Sequence, residues 1–295
     1  MAGETPGQKP SILLQLDSDP QPSVFDAVVA VDSGVAHLLR HGGVTPSAVR
    51  DLVHGALFTR GLDDLKRTAI FVGGSDVVAA EAIFGAVKDA FFGPFRVSVL
   101  FDANGSNTTA AAAVLAALEG CEGSVADVPC AILGGTGPVG QRVARLLSGF
   151  GARVAVGSRD ASKADACARR IREITGGEVV GFAAQDPDQP AEPLRNARVV
   201  IAAGAAGIRL LSAGARDQLA DLKVAIDLNA VPPLGIGGIE ATDKGVERGT
   251  LKVWGALGVG RTKMKIHKKV LRELFLTNDR VFDAEQVLEL GRAGI

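Results

Sequence analysis

The stretch Ala131-Ile-Leu-Gly-Gly-Thr-Gly-Pro-Val-Gly140 constrains this chain more than any other. An apolar strand pattern runs into Gly135-x-Gly137-x-x-Gly140, a helix-period segment follows, and a second strand pattern at residues 152–156 leads to Gly157-Ser158-Arg159. In a dinucleotide fold the three glycines serve different purposes. One allows a tight turn after the strand, one leaves room for backbone to approach a pyrophosphate, and one lets helix pack closely on strand. Phosphates then rest on the positive end of the helix, so Gly135, Thr136, Gly137, Pro138, Val139 and Gly140 are candidate cofactor residues. The position that usually carries an acid for the adenosine ribose holds Ser158 and Arg159, with Lys163 one helical turn later. An acid there would repel a ribose phosphate, whereas a hydroxyl and a guanidinium bind one, so the pattern reads as an NADP site. The competing readings are a tight turn in an unrelated α/β domain and an ordinary surface arginine.

At 295 residues the chain is long enough for two domains. Its 47% hydrophobic and 22% charged content fits a globular enzyme rather than a disordered or fibrous chain. A net charge of −1 gives no reason to expect nucleic acid or an anionic membrane as partner. Three cysteines, Cys121, Cys130 and Cys167, have an odd count and no metal-ligand spacing, and read as reduced thiols of a cytoplasmic protein with no bound metal. Residues 1–10 form a polar tail rich in Pro and Gly, without the apolar core of a signal peptide. No run approaches the ~18 apolar residues of a membrane span.

Strand and helix patterns alternate along the chain, which predicts parallel sheets covered by helices. In the first half, strands are expected at 11–16, 68–72 and 95–101, and helices at 24–39, 46–58, 77–90 and 110–118, with Thr45 as N-cap and Pro46 in the first helical position of the second. Three of these strands run into polar loops, at 17–22, 73–76 and 102–109, and such loops gather at the carboxyl edge of a parallel sheet, where ligands bind. Small and polar residues at 120–129 mark a domain boundary. Beyond it, strands are expected at 131–133, 153–156, 178–182, 198–202 and 223–227. The fourth of them ends in Ala203-Gly-Ala-Ala-Gly207, small enough at Ala203 and Gly204 for a cofactor to lie across the sheet edge. The fifth ends in an irregular loop, 227–235, with no helix after it, and Asn229 there suits a nicotinamide carboxamide or a simple turn. A basic helix at 261–276 and a last helix at 283–292 have no strand of their own and are expected to pack back on the first domain.

Seven segments in both halves then stand together: Pro22-Ser-Val-Phe25, Phe71-Val-Gly-Gly-Ser-Asp76, Phe92-Gly-Pro-Phe95, Asp102-Ala-Asn-Gly-Ser-Asn-Thr-Thr109, Gly134-Gly-Thr-Gly-Pro-Val-Gly140, Pro232-Pro-Leu-Gly-Ile-Gly-Gly-Ile239 and Gly255-Ala-Leu-Gly258. With them the chain resembles the NADP-dependent methylenetetrahydromethanopterin dehydrogenases of methylotrophic bacteria, some of which also act on methylenetetrahydrofolate. The resemblance runs from about residue 12 to the C-terminus. It implies an α/β protein of two domains with the active site in a cleft between them: residues 1–125, joined by 270–295, as pterin domain with a parallel sheet, and 126–269 as Rossmann-type NADP domain. It implies reversible hydride transfer from the one-carbon bridge of a reduced pterin to NADP in one-carbon metabolism, and a homo-oligomer. It also places Phe25, Lys263 and His267 at the pterin, the last two sharing a helix face at i, i+4. Asp17, Asp102, Asn104 and Asn107 are its candidate pterin-binding residues; by themselves they also suit turns and caps. For Phe25 the plain alternative is a core aromatic, and for Lys263 and His267 a solvated basic face alongside Lys265, Lys268 and Lys269.

Two other readings stay open. A shikimate- or amino-acid-dehydrogenase-like oxidoreductase has a similar plan but needs a proton-transferring pair, for which Lys66 and Asp102 are on offer. A non-catalytic NADP sensor would bind the nucleotide without turnover. The cofactor reading is tested by Arg159→Ala, which is expected to weaken NADP binding far more than NAD binding; equal loss for both in a titration would show that Arg159 does not contact the ribose phosphate.

Overall fold

The computed structural model describes residues 9–294; residues 1–8, most of the expected N-terminal tail, lie outside them. The chain divides into two compact units, one made of the described part of Met1–Asn107 together with Lys265–Leu290, the other of Thr108–Met264 and Gly291–Gly294.

The first unit begins with β1 (Ile12–Asp17), α1 (Val24–Asp32), β2 (His37–His41), α2 (Pro46–Phe58), β3 (Thr68–Gly73), α3 (Val77–Asp89) and β4 (Ser98–Phe101), and α4 (Ser106–Gly120) leads out of it. The second contains β5 (Pro129–Leu133), α5 (Pro138–Gly149), β6 (Arg153–Ser158), α6 (Ala161–Thr175), β7 (Val179–Ala183), α7 (Glu192–Arg195), β8 (Val199–Ala202), α8 (Ala213–Asp217), β9 (Val224–Asp227), β10 (Lys244–Arg248) and β11 (Leu251–Trp254). Helix α9 (Ala256–Glu273) leads back to the first unit, which β12 (Val281–Phe282) and α10 (Ala284–Arg292) complete.

The first sheet is parallel throughout, in the order β12-β4-β3-β1-β2. Its register sets Leu14 beside Ile70, Ile70 beside Val99, Leu16 beside Val72 and Val72 beside Phe101. These alternate residues share one face and pack on Val49, Val53 and Leu57 of α2 and Ile83, Phe84 and Val87 of α3. β3 is buried at every position, as a central parallel strand covered on both faces must be. The second sheet has the order β10-β11-β9-β8-β5-β6-β7, parallel except for the β10–β11 hairpin at its edge. Its sequence reverses direction between β5 and β8, the switch point at which open α/β sheets bind ligands.

Several expected elements change. The helix expected over 24–39 stops at Asp32, because Gly34 takes φ +92°, and the chain turns back as edge strand β2. Ser11 holds that turn: its hydroxyl accepts the Ala36 amide (2.9 Å) and its carbonyl accepts the His37 amide (2.9 Å). β4 begins at Ser98 rather than 95, since Phe92 and Phe95 exchange backbone hydrogen bonds in a tight turn over Gly93. Thr45 does occupy the N-cap of α2, but its hydroxyl pairs with that of Ser47 instead of capping the helix. The hairpin at 244–254 was not expected; its signal is the alternation on either side of Gly249 (φ +66°). The closing helices do bring a strand, β12, which pairs with β4. The break between the units falls at Asn107, before the expected 120–129, and at Met264 rather than 269. α4 ends against the second sheet, where a Cβ at Gly120 would meet Val224 at 2.5 Å.

Cys121, Cys130 and Cys167 are all free thiols, and burial raises the pKa of each. Among the described residues, no helix is long and apolar enough to cross a membrane.

The start of α4 is tied to the returning C-terminal segment by Asn107, whose Nδ2 donates to the Phe101 carbonyl (2.7 Å) and to Asp283 Oδ1 (2.9 Å). Asn107→Ala removes both of these hydrogen bonds, one of them wholly buried, and is expected to cost about 1–3 kcal/mol in urea unfolding; an unchanged midpoint would show that the tie adds nothing.

Candidate functional site

The glycine loop is built from backbone contacts that admit no side chain. A Cβ at Gly140 would lie 2.6 Å from the Gly134 carbonyl oxygen, and one at Gly134, which has φ +69°, 2.6 Å from Gly204 Cα. The Gly135 amide donates to the Gly157 carbonyl (2.9 Å), tying the loop to the end of β6. Gln141 Nε2 donates to the Thr136 carbonyl (2.6 Å), and Gly137 caps α5 with Pro138 in its first turn. The first-turn amides of Val139 and Gly140 have no acceptor within a helix, which leaves them for a ligand oxygen. In the register of the sheet Leu133 lies beside Gly157, so Gly134 and Ser158 leave adjacent strands at the same level. Ser158 is half-buried, while Arg159 and Lys163 are exposed. The nearest acid, Asp160, is turned onto its own helix: Oδ1 accepts the Ser162 hydroxyl (2.7 Å) and the amides of Ser162 and Lys163 (2.9 and 3.2 Å). Those bonds, the hydroxyl foremost, lower its pKa. Small residues, free helix amides and a cationic edge fit a dinucleotide with a 2′-phosphate.

Ala203 and Gly204 are half-buried beside the glycine loop. Asn229 is buried, and its amide serves the protein itself: Oδ1 accepts the Val231 and Gly207 amides (2.9 and 3.3 Å) and Nδ2 donates to the Pro233 carbonyl (3.1 Å). Asp227, which sequence reasoning passed over, is fully buried at the end of β9. Burial raises its pKa, opposed by the amides of Ile236, Asn229 and Gly235 and by Arg209.

In the first unit the carboxyl ends of β1, β3 and β4 lie side by side and their loops are cross-linked. Asp19 accepts both the Ser75 amide and the Ser75 hydroxyl (2.9 Å each), joining the loops after β1 and β3. The amide of Asn104, an exposed residue at φ +51°, donates to the Gly74 carbonyl (2.8 Å), joining those after β3 and β4. Asp17 is buried and accepts the amides of Asp19 (2.9 Å) and Ser23 (3.2 Å). Asp102, also buried, accepts the Asn107 amide (2.9 Å). Asp17, Asp102 and Asn107 thus shape the loops, whereas Asn104 stands at their surface. The Asp19–Ser75 pair carried no spacing signal, since its members are 56 residues apart.

Phe25 is the second residue of α1 and 52% exposed, so it is not the core aromatic of the plain alternative. Lys263 is half-buried on α9. His267 is 1% exposed, with its ring stacked on Phe71 of β3 at 6.0 Å and 22°, which removes it from the solvated face. The neighbouring Lys268 does pair at the surface, with Asp32 (3.0 Å). Lys66 and Asp102 cannot form a proton-transferring pair. Lys66 precedes β3, whereas Asp102 follows the parallel strand β4, and at ~3.3 Å per residue the two ends of the sheet are about 20 Å apart. Among the described residues, no cluster of His, Cys, Asp and Glu could hold a metal ion.

Comparison with known proteins gives this site a context. The family model described as methylene-tetrahydromethanopterin dehydrogenase, N-terminal, matches residues 24–104. The bifunctional protein MdtA of Methylorubrum extorquens is 45% identical over 281 residues, covering 95% of this chain and 98% of its own. The NAD(P)-dependent methylenetetrahydromethanopterin dehydrogenase of the same organism is 31% identical over 271 residues, 90% of this chain and 91% of its own. Among solved structures, 5-ketofructose reductase of Gluconobacter is similar with a TM-score of 0.52 at 15% identity, covering 97% of this chain and 99% of its own. Shikimate 5-dehydrogenase from Listeria monocytogenes matches with a TM-score of 0.52 at 13% identity, over 97% and 99% of the two chains. These two likenesses establish the fold alone, an α/β plan with parallel sheets. The two Methylorubrum relatives, matched over nearly their whole length, establish that the chain belongs to the methylenetetrahydromethanopterin dehydrogenase family.

Proposed function

We propose that the protein transfers hydride reversibly between the one-carbon bridge of methylenetetrahydromethanopterin and NADP, giving the methenyl form and NADPH, with methylenetetrahydrofolate as a second substrate. The observation that carries the reading is the pairing of a built dinucleotide loop with membership of this family. We assign NADP to the second unit, with its pyrophosphate on the loop Gly135 to Gly140 and its 2′-phosphate on Ser158, Arg159 and Lys163. The reduced pterin is assigned to the cross-linked strand-end loops of the first unit together with Phe25, Lys263 and His267. The protein acts in the cytoplasm as a homo-oligomer.

The bridging carbon stands between two nitrogens, so loss of hydride leaves a cation spread over an amidine-like unit, and no proton leaves the reacting carbon. The chain therefore needs no general base, in keeping with the separation of Lys66 from Asp102. NADP supplies the hydride-accepting ring carbon. The chain's own part is to bind, orient and keep water out. Phe25, aromatic and half-exposed, packs on the pterin ring system. His267, fixed by its stack on Phe71, offers a defined edge to the pterin amide. Lys263 binds and orients, because a cation beside the forming cation would oppose hydride loss. Asp17, Asp102 and Asn107 hold the loops that present Asn104.

The test is to mix the protein with NADP and methylenetetrahydromethanopterin, then with methylenetetrahydrofolate, and follow NADPH absorbance. Turnover is expected with both. Tight NADP binding without turnover of either would favour the sensor instead. Lys263→Ala is expected to raise the apparent pterin KM by about tenfold, in line with the loss of a charged hydrogen bond; an unchanged pterin dependence would return Lys263 to the solvated face.

A further inference from the structure

The loops after β8 and β9 are locked together by two buried side chains, Asp227 and Asn229. Asp227 Oδ1 accepts the Asn229 amide (3.0 Å) and Oδ2 accepts the Ile236 amide (2.9 Å), so one carboxylate closes both ends of the loop that follows it. Asn229 reaches the other loop through the Gly207 amide (3.3 Å) and holds its own through Val231 and Pro233. The Gly235 carbonyl accepts the amides of Leu210 and Leu211 (2.8 and 3.0 Å), and the Gly237 amide donates to the Leu211 carbonyl (2.8 Å). Loops 203–212 and 228–237 are thus zipped into one plate, with Ala230, Val231, Pro232 and Pro233 exposed at its rim. The plate abuts the glycine loop where Gly134 leaves no room for a side chain against Gly204.

A buried carboxylate costs free energy, so its retention calls for a role that an uncharged residue would not fill. The backbone N–H groups of Asn229 and Ile236 point at its two oxygens, with the Gly235 amide beside them. A carboxylate accepts on both sides, whereas an amide accepts on one side and sets a donor against a donor on the other. The exposed rim of a plate held in this way has little freedom to move, which is what a site that fixes the face of a flat ring requires.

We propose that Asp227 and Asn229 are positioning residues that hold this plate as the wall for the nicotinamide half of NADP, leaving the adenosine half to the glycine loop and the end of β6. The inference rests on the NADP reading above and does not depend on the identity of the pterin. It separates the two halves of the cofactor energetically, and that separation is measurable without turnover.

The experiment measures dissociation constants of NADPH and of adenosine 2′,5′-bisphosphate, which carries only the adenosine half, for the wild-type protein and for Asp227→Asn, Asn229→Ala and Asn229→Asp. NADPH is expected to bind about tenfold more weakly to Asp227→Asn and Asn229→Ala, with adenosine 2′,5′-bisphosphate changed by less than about twofold. Asn229→Asp keeps the acceptors for Gly207 and Val231 but sets an oxygen against the Pro233 carbonyl, and is expected to recover only part of the NADPH affinity. Equal weakening of both ligands, or of neither, would overturn the assignment. If Asp227→Asn fails to fold, the two Asn229 variants decide the question alone. A wild-type protein that binds neither ligand would overturn the NADP reading along with it, whereas one that shows the split yet turns over no pterin would leave the positioning role standing and sink only the substrate.

Discussion

The arrangement depends on buried carboxylates and amides at the carboxyl ends of parallel strands. A parallel sheet delivers all its strand ends to one edge, and the chain leaving each strand carries amides that have lost their ladder acceptors. Asp17 at the end of β1, Asp102 just after β4 and Asp227 at the end of β9 each accept such amides while almost wholly shielded from water. Asn107 adds donors, and Asn229 a donor as well as an acceptor. Each unit therefore presents a ligand edge made of loops that are tied to one another, not of loops that hang from separate strands.

What could be read from the sequence follows from how local each constraint is. The glycine loop was legible because three glycines at fixed spacing answer to contacts within a few residues and to the next strand, and the close approaches at Gly134 and Gly140 are of that kind. The cationic edge at Ser158 and Arg159 was legible for the same reason. The helix expected over 24–39 went wrong because valines and leucines suit either element, and the free edge of β1 claimed the second half as β2. Asn229 carried a turn signal and a cofactor signal at once; its hydrogen bonds to Val231 and Pro233 are turn bonds, and its bond to Gly207 reaches the neighbouring loop. His267 suited either the pterin or a solvated basic face, and only β3, far away in sequence, supplies the ring on which it stacks. The Asp19–Ser75 tie had no sequence signature at all, since it depends on β1 and β3 being neighbours.

The same geometry narrows the chemistry. A carbonyl reduction of the shikimate type needs a proton-transferring pair at the reacting oxygen, and Lys66 and Asp102 lie at opposite ends of their sheet. Hydride transfer from a carbon between two nitrogens needs no such pair. For the hydride transfer proposed above, rigid edges, a cationic end for the nucleotide and an aromatic residue for the pterin would be sufficient.

The most direct measurement follows the bridging hydrogen itself. Methylenetetrahydromethanopterin carrying deuterium at the bridging carbon, incubated with NADP and the protein in ordinary water, is predicted to give NADPH that holds the transferred deuterium, with none released to solvent. Deuterium appearing in water, or NADPH formed without the label under conditions in which the substrate was fully labelled, would contradict direct hydride transfer and with it the account of this site.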